Sequence, residues 1–305
     1  MRLITHNGTF HADEVTASAI LTTLFPRAEI VRTRDAETIR SAQGKDIVFD
    51  VGSVYSHEDR RYDHHMVDGP KRQRDGSPYS SVGLVWRHYG LAYVSLTLET
   101  DDVDLMAKVW KSVDEGLVKE IDLLDNGVGT MSSSSLPALV DDLNPAWDSG
   151  QDSDEAFRHA VAMVRPFVAN RVAAAAARCR AEAVVFEAAS SAEDPRIVVL
   201  PASMPWEGAL FDGGFEDALY VVYPKTQDAW YCSAVPPEPG SFAQRKPLPA
   251  EWAGLRDEGL AEVCGAPDAT FCHPARFVCG ARSREGVVAM AKAACEAKPE
   301  AGPAP

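Results

Sequence analysis

The order of hydrophobic patterns in the first fifty residues constrains the fold most. Arg2 to Thr5 (RLIT), Glu29 to Thr33 (EIVRT) and Lys45 to Phe49 (KDIVF) are short and β-rich, while DEVTASAILTTLF between the first two carries apolar residues at helical spacing. A strand, a helix and a strand in that order make a β-α-β unit. The third run is apolar without polar alternation, as expected of a strand covered on both faces, so the pattern predicts an α/β fold whose parallel sheet begins at the N-terminus.

Further along, SSVGLVWRHYG and DLMAKVWKSVDEGLVKEIDLLDNG read as helices, the second ending near Asn126-Gly127, where a left-handed cap forms easily. Residues 130–154 are rich in Ser, Pro, Asp and Gly and read as a long loop or partly ordered linker. DSDEAFRHAVAMVRPFVANRVAAAAARCRAEAV then predicts a long helix kinked near Pro166, with Asp152 and Glu155 spaced like a capping box. The domain boundary falls along this helix, giving a first domain over residues 1–150, a connecting helix over 151–182 and a second domain over 183–305. Strand signals at VVF (184–186), RIVVL (196–200), ALYVVYP (218–224) and WYCSAV (230–235), with a closing helix SREGVVAMAKAACEA, make the second domain smaller and mixed α/β. The tail AKPEAGPAP is expected to be disordered.

Thirty Lys and Arg against 45 Asp and Glu leave a formal charge of −15, a field that repels nucleic acid unless cations gather locally. MRLITHNGTF has no apolar leader, and no uninterrupted apolar run approaches the roughly 18 to 20 residues of a membrane span. Six cysteines at 179, 232, 264, 272, 279 and 295 form no C-x-x-C pair, which argues against a zinc ribbon. The expectation is a cytoplasmic protein with reduced thiols and no membrane partner.

Six of the eight histidines (6, 11, 57, 64, 65 and 88) fall in the first 88 residues. THNGTFHADE follows the first predicted strand, so His6, His11 and Asp13 project from its C-terminal edge and the next helix's first turn, where open α/β sheets bind ligands. Asp50 ends DIVFD at what should be the same edge. RYDHHMVD sets Asp63, His64 and His65 side by side, and neighbouring imidazoles desolvate poorly unless each has a partner. Asp122 and Asp125 in EIDLLDNG form a further carboxylate pair. Imidazoles and carboxylates without thiolates suit Mn²⁺, Zn²⁺, Fe²⁺ or Mg²⁺. So many ligands over-supply one ion, whereas two ions about 3.5 to 4 Å apart would flank a phosphoryl group.

THNGTFHADE, FDVG, YDHH and IDLLDNG resemble, in order, the four metal motifs of the DHH phosphoesterase superfamily, which includes RecJ-type exonucleases and manganese-dependent inorganic pyrophosphatases. With VRTRD, VGSVY, SSVGLVW, SMPWEG, GSFAQRKPLPAEWAGLRDEGL and SREGV, the chain is more closely similar to the Myg-type family, from about residue 3 to about residue 294. The resemblance implies a Rossmann-like DHH domain with a mainly parallel sheet, a smaller C-terminal domain and a site in the cleft between them. It implies that His6, His11 and Asp13 bind metal, His11 standing where the pyrophosphatases have an aspartate. Asp50 would bridge two ions, His64 would bind metal, His65 would face the substrate phosphate and Asp63 would orient an imidazole. For the fourth motif, Asp125 fits somewhat better than Asp122.

The second domain is expected to contribute cationic substrate contacts from Arg245, Lys246, His273, Arg282 and Arg284, the last two beside a helix N-terminus that favours an anion. The relatives' two glycines before that helix are replaced by Cys279-Gly280-Ala281, which puts a backbone contact to phosphate there in doubt. Lys71, Arg72 and Arg74 form a further basic run that could meet a nucleic-acid backbone or merely solubilise a loop. The expected activity is that of a metal-dependent phosphodiesterase, a 3′-5′ exonuclease hydrolysing RNA or short oligonucleotides with water activated by two Mn²⁺ ions. Alternatives on the same residues are hydrolysis of a dinucleotide, nucleotide or pyrophosphate, or metal binding without turnover. A homodimer is compatible with the sequence.

Overall fold

The computed structural model describes residues 1–298 and divides into two compact units, Met1–Ala176 and Ala177–Pro305. The last seven residues of the tail expected to be disordered, 299–305, lie outside the described residues.

In the first unit, β1 (Arg2–Thr5), β2 (Glu29–Arg32), β3 (Ile47–Phe49), β4 (Tyr55–Ser56) and β5 (Arg61–Tyr62) form a sheet of order β2-β1-β3-β5-β4. The pairs β1–β2, β1–β3 and β3–β5 are parallel, whereas β4 returns antiparallel to β5, so the sheet is mixed at one edge. Leu3, Ile4, Ile47, Val48 and Phe49 are wholly or almost wholly buried, which explains the absence of polar alternation in these strands.

Helix α1 (Ala12–Leu24) connects β1 to β2, and every residue from Ala12 to Leu21 is buried. Its small and apolar side chains allow packing on all sides. After α2 (Ala36–Arg40) come α3 (Ser81–Leu98), α4 (Val103–Val113) and α5 (Lys119–Asp125). The single helix expected over DLMAKVWKSVDEGLVKEIDLLD is broken between α4 and α5 by a π-helical turn, Asp114–Val118. Nor is residues 130–154 a continuous loop, because α6 (Leu136–Asp141) forms there behind a Ser135 cap. The Asn144 side chain pins the following stretch by exchanging hydrogen bonds with both backbone groups of Phe10, at 2.9 and 2.8 Å.

The long helix α7 (Ser153–Ser190) contains Pro166 and also VVF, which had read as a strand. Ala181, Val185 and Ala189 are buried at four-residue spacing in one core cluster, and that periodicity keeps Val184–Phe186 helical. By length and composition alone, α7 is apolar enough to cross a membrane. Its apolar stripe of Phe157, Val161, Val164, Val168 and Val172 is nevertheless buried inside the protein.

The second unit is built on β6 (Ile197–Val199), β7 (Tyr220–Thr226), β8 (Ala229–Ala234), β9 (Ala269–Cys272) and β10 (Val278–Ala281), in the order β6-β7-β8-β10-β9. Only β6–β7 is parallel. Alternate residues supply two cores. Ile197, Tyr220 and Val222 face a cluster with Val287 and Met290 of α10 (Arg284–Glu296), while Val198 and Val221 face Val185 of α7 and Leu210 of α8 (Glu207–Asp212). Helix α9 (Asp257–Cys264) adds Leu260 to the first of these cores.

Candidate metal centre

Because β1, β3 and β5 are parallel neighbours, the residues just beyond their C-terminal ends lie side by side. These are His6, Asp50 and Asp63-His64-His65. The N-terminus of α1 faces them with His11, Asp13 and Glu14, its unpaired N–H groups favouring carboxylates. Asp50 has φ 56°, a left-handed backbone that costs a non-glycine residue about 1 kcal/mol or more, and such strain persists where the surrounding structure enforces it.

His6 Nδ1 donates to the Asn7 carbonyl at 3.1 Å, which fixes the ring and leaves Nε2 inward, 2.9 Å from Glu14 Oε1 and 3.2 Å from Asp50 Oδ2. His64 Nε2 lies 3.4 Å from Asp50 Oδ1 and 3.2 Å from Asp125 Oδ2. Asp13 Oδ2 accepts from Ser81 Oγ at 2.7 Å. Asp13 Oδ1 is buried without a hydrogen-bond partner, and Asp50 Oδ1 and His64 Nε2, equally buried, meet only charged side chains of the cluster at 3.2 Å or more. Orphaned buried acceptors are costly in an ordinary core and are what a cation would satisfy. Sets such as Asp50/Asp63/His64/His65, His6/His11/Glu14, His11/Asp13/Asp125 and Asp13/Glu14/Asp50 each bring one ligand atom per residue within 4.8 Å of the others, so these buried acidic and histidine groups could hold a metal ion.

The electrostatics point the same way. Burial pulls the His6 imidazole down, but hydrogen bonds to Asp50 and Glu14 prevail and raise its pKa to about 10. Burial likewise pulls His64 down, but Asp50 with Asp13 and Asp125 prevails and raises its pKa to about 9. Burial and the neighbouring Asp13 charge push Asp125 up to about 8. Glu14 is pushed well up by burial, with Asp13 and Asp50 adding to the rise. Against its own burial, Asp50 is held down to about 2 by His6 and His64. The cluster thus retains protons where it has an excess of negative charge, and a divalent ion would meet the same field.

Asp63 is already saturated. It accepts from the backbone N–H of His64 at 2.8 Å and His65 at 3.1 Å, from Ser53 N–H and from His65 Nδ1 at 2.7 Å. Its role in the fold is to orient His65, whose side chain is 59% exposed at the mouth of the site. A cavity of about 600 Å³ opens here, lined among others by His6, His11, Asp13, Arg34, Asp50, Ser53, His65, Asp125 and Asp141. His57 and His88 instead stack on one another with centroids 3.8 Å apart and bond to Tyr62 and Tyr55.

Asp122 departs from the expectation of a metal ligand. Fully buried, it accepts from Ser80 N–H at 2.9 Å, Ser80 Oγ at 2.7 Å and Gly83 N–H at 3.1 Å, and it pairs with Arg72 at 2.6 Å. Burial raises its pKa to about 6 despite Arg72. This carboxylate caps α3. Gly83 permits the approach, because a Cβ there would lie 2.2 Å from Asp122 Oδ2. Arg72 is therefore a buried structural cation, also paired with Asp114 at 3.1 Å, rather than a nucleic-acid contact. Arg74 pairs with Glu115, and Lys71 is exposed.

Within the second unit, Arg245 and Lys246 are also structural rather than free for substrate. Arg245 Nη1 donates to the carbonyls of Phe215, Glu216 and Ala218, and Lys246 Nζ donates to those of Cys295 and Ala297. His273 is exposed; its Nδ1 accepts from Ala275 N–H at 3.0 Å. Arg282 is exposed and Arg284 lines a separate cavity with Lys292 and Asp194. The anion expected at the start of α10 is internal: Asp268 accepts from Ser283 N–H at 2.7 Å and from Ser283 Oγ. Cys279-Gly280-Ala281 is strand β10, with Gly280 packed beneath the Phe271 ring, so it forms no phosphate loop.

Glu14 is the site residue that the sequence reading passed over. An acid at the third position of a helix reads as the second half of a capping box, and Glu14 does accept from His11 N–H at 3.0 Å. Its place beside Asp13 in HADE, just after the histidine-bearing strand end, is the available sequence signal for a second role.

Residues 2–295 match the family model MYG1_exonuc, described as an uncharacterised protein family (UPF0160). The chain is 34% identical over 334 residues to the MYG1 exonuclease of Bos taurus, covering 100% of this chain and 87% of that protein. It is 35% identical over 322 residues to the MYG1 exonuclease of Homo sapiens (96% of this chain, 85% of that one). With an MYG1 protein of Schizosaccharomyces pombe it shares 34% over 328 residues, covering 97% and 98% of the two chains.

Proposed function

From the premise that this chain belongs to the MYG1_exonuc family, two of whose mammalian members bear the name MYG1 exonuclease, we propose that it is a nuclease of the DHH phosphoesterase type. In this reading it is a metal-dependent phosphodiesterase that removes nucleotides from the 3′ end of RNA or short oligonucleotides. One observation carries the reading: Asp13 Oδ1 is buried without a hydrogen-bond partner, Asp13, Asp50 and Asp125 line one cavity, and His64 Nε2 lies 3.4 Å from Asp50 Oδ1 and 3.2 Å from Asp125 Oδ2.

Asp13, Asp50, His64 and Asp125, with His6 and His11, would hold divalent cations, Mn²⁺ first and Mg²⁺, Zn²⁺ or Fe²⁺ as alternatives. Two such ions would supply Lewis-acid stabilisation of phosphoryl charge and a more acidic water. The remaining work belongs to the chain. Asn7 O locks the His6 ring so that Nε2 points inward. Asp63 accepts a hydrogen bond from His65 Nδ1–H, which raises the His65 pKa, so a protonated Nε2 at the exposed end of the ring can donate to a phosphoryl oxygen. Before a metal binds, His6 and His64 must release their protons, which makes loading weaker in acid.

The test is incubation of the Mn²⁺-reconstituted protein with end-labelled single-stranded RNA. Shortening from the 3′ end with release of mononucleotides, lost in His64→Ala, is the expected result. RNA left intact with all four metals, or cleaved equally by the variant, overturns it. The cavity of about 600 Å³ also suits a ligand of one or two nucleotides, which favours a small phosphate compound as the second reading. Release of orthophosphate from pyrophosphate, with RNA untouched, would select that reading.

A further inference from the structure

Strand β2 completes a pattern set by its neighbours. In the order β2-β1-β3-β5 all pairings are parallel, with Arg32 opposite Thr5. Beyond their C-terminal ends β1, β3 and β5 present His6, Asp50 and Asp63-His64-His65. Beyond its own end, β2 presents Arg34.

The backbone around Arg34 is held on both sides. Thr33 N–H donates to Thr5 O at 2.8 Å, Asp35 N–H donates to Thr33 Oγ1 at 3.0 Å, and Asp35 caps α2 by accepting from Thr38 N–H at 2.7 Å. The side chain is exposed and, among the described residues, makes no hydrogen bond or ion pair. Arg32 behaves oppositely: its guanidinium is engaged by Asp154, Ser153 and the Gly8 carbonyl.

Among the described residues Arg34 is the only lysine or arginine lining the cavity, whose walls include Asp13, Asp50, Asp63, Asp125 and Asp141. A guanidinium beside five carboxylates that pairs with none of them is placed for an anion arriving from outside. We propose that Arg34 is the ligand-binding cation of this site, receiving a non-bridging phosphoryl oxygen of the substrate. The ligand class is a phosphate ester or inorganic phosphate, a choice that rests on the phosphodiesterase reading above. The planar fork can donate two parallel N–H groups to two oxygens of one phosphoryl group, which an ammonium cannot match. Arg34 would bind and position the phosphate in the cavity that Asp13, Asp50 and Asp125 also line.

The test is calorimetric titration of inorganic phosphate into the full-length, Mn²⁺-reconstituted protein, comparing wild type, Arg34→Ala and Arg34→Lys. Arg34→Ala is expected to weaken phosphate binding roughly 10-fold to 100-fold, the range for losing a charge-assisted hydrogen bond, with Arg34→Lys between the two. Bound manganese and melting temperature should not change, because Arg34 is neither a ligand nor buried. In RNA assays the KM should rise more than kcat falls. Phosphate affinity within twofold of wild type in Arg34→Ala, or no phosphate binding by wild type, overturns the proposal. The two readings fail separately: a protein that cleaves no RNA but loses phosphate affinity on Arg34→Ala refutes the nuclease and upholds Arg34. A nuclease indifferent to Arg34→Ala does the reverse.

Discussion

Replacing Asp122 should damage stability and spare metal binding, whereas replacing Asp125, one helical turn away, should do the opposite. Asp122→Ala removes the acceptor for Ser80 N–H, Ser80 Oγ and Gly83 N–H and leaves Arg72 buried without one of its two carboxylates. Breaking a buried ion pair by deleting one partner costs about 3 to 5 kcal/mol. Because Asp114 still faces Arg72 at 3.1 Å, the lower part of that range applies. For a unit of this size each kcal/mol moves the melting temperature by about 2 to 4 °C, so a fall of roughly 10 °C is expected. Manganese retained after gel filtration, measured by mass spectrometry, should match wild type in Asp122→Ala and drop sharply in Asp125→Ala. A variant at Asp122 that melts like wild type but loses its metal would show that this carboxylate is a ligand and that the hydrogen bonds around it are incidental.

Three other outcomes follow from the same geometry. Glu14→Gln keeps an acceptor for His11 N–H but removes the charge beside His6, and should weaken manganese binding by about 10-fold or more in calorimetry; unchanged affinity would exclude Glu14 from the centre. Asn144→Ala breaks both bonds to the Phe10 backbone and should cost about 1 to 2 kcal/mol in urea unfolding, while a loss near zero would mean that the α6 segment is held by other contacts. His88 is held down to about 4 by burial, with the His57 and Arg87 charges adding to the effect. Between its ordinary 6.5 and that value the unfolded chain takes up a proton that the folded chain refuses, so stability falls as the pH drops through this window. Allowing for its partial exposure, the loss should be about 1 to 2 kcal/mol, and His88→Gln should show a shallower acid decline; equal slopes would contradict it.

The architecture near the site was legible because it depends on local patterns. Apolar runs without alternation marked β1 and β3, and the residues just after them, His6 and Asp50, had to emerge at one edge once the strands were parallel. Contacts between distant segments were not legible. Asp122 and Asp125 stand three residues apart with similar neighbours, and what separates them is Ser80, Gly83 and Arg72, 39 to 50 residues before Asp122, which converge on the first and not on the second. Arg245 and Lys246 looked like free surface cations because carbonyls give no sequence signal; the carbonyls of Phe215, Glu216, Ala218, Cys295 and Ala297 that engage them converge only in the fold. VVF was misread as β because three consecutive residues cannot separate a strand from a helix whose period is set by Ala181, Val185 and Ala189. Arg34 was visible within VRTRD, but its distinction from Arg32 lies in which guanidinium finds partners.

The most direct measurement is anomalous diffraction at the manganese edge from crystals of the Mn²⁺-reconstituted protein. Two peaks sharing Asp50, and reached by Asp13, His64 and Asp125, are the expected result. Absence of any peak within ligand distance of Asp50 in a fully reconstituted crystal would contradict a metal centre at this sheet edge.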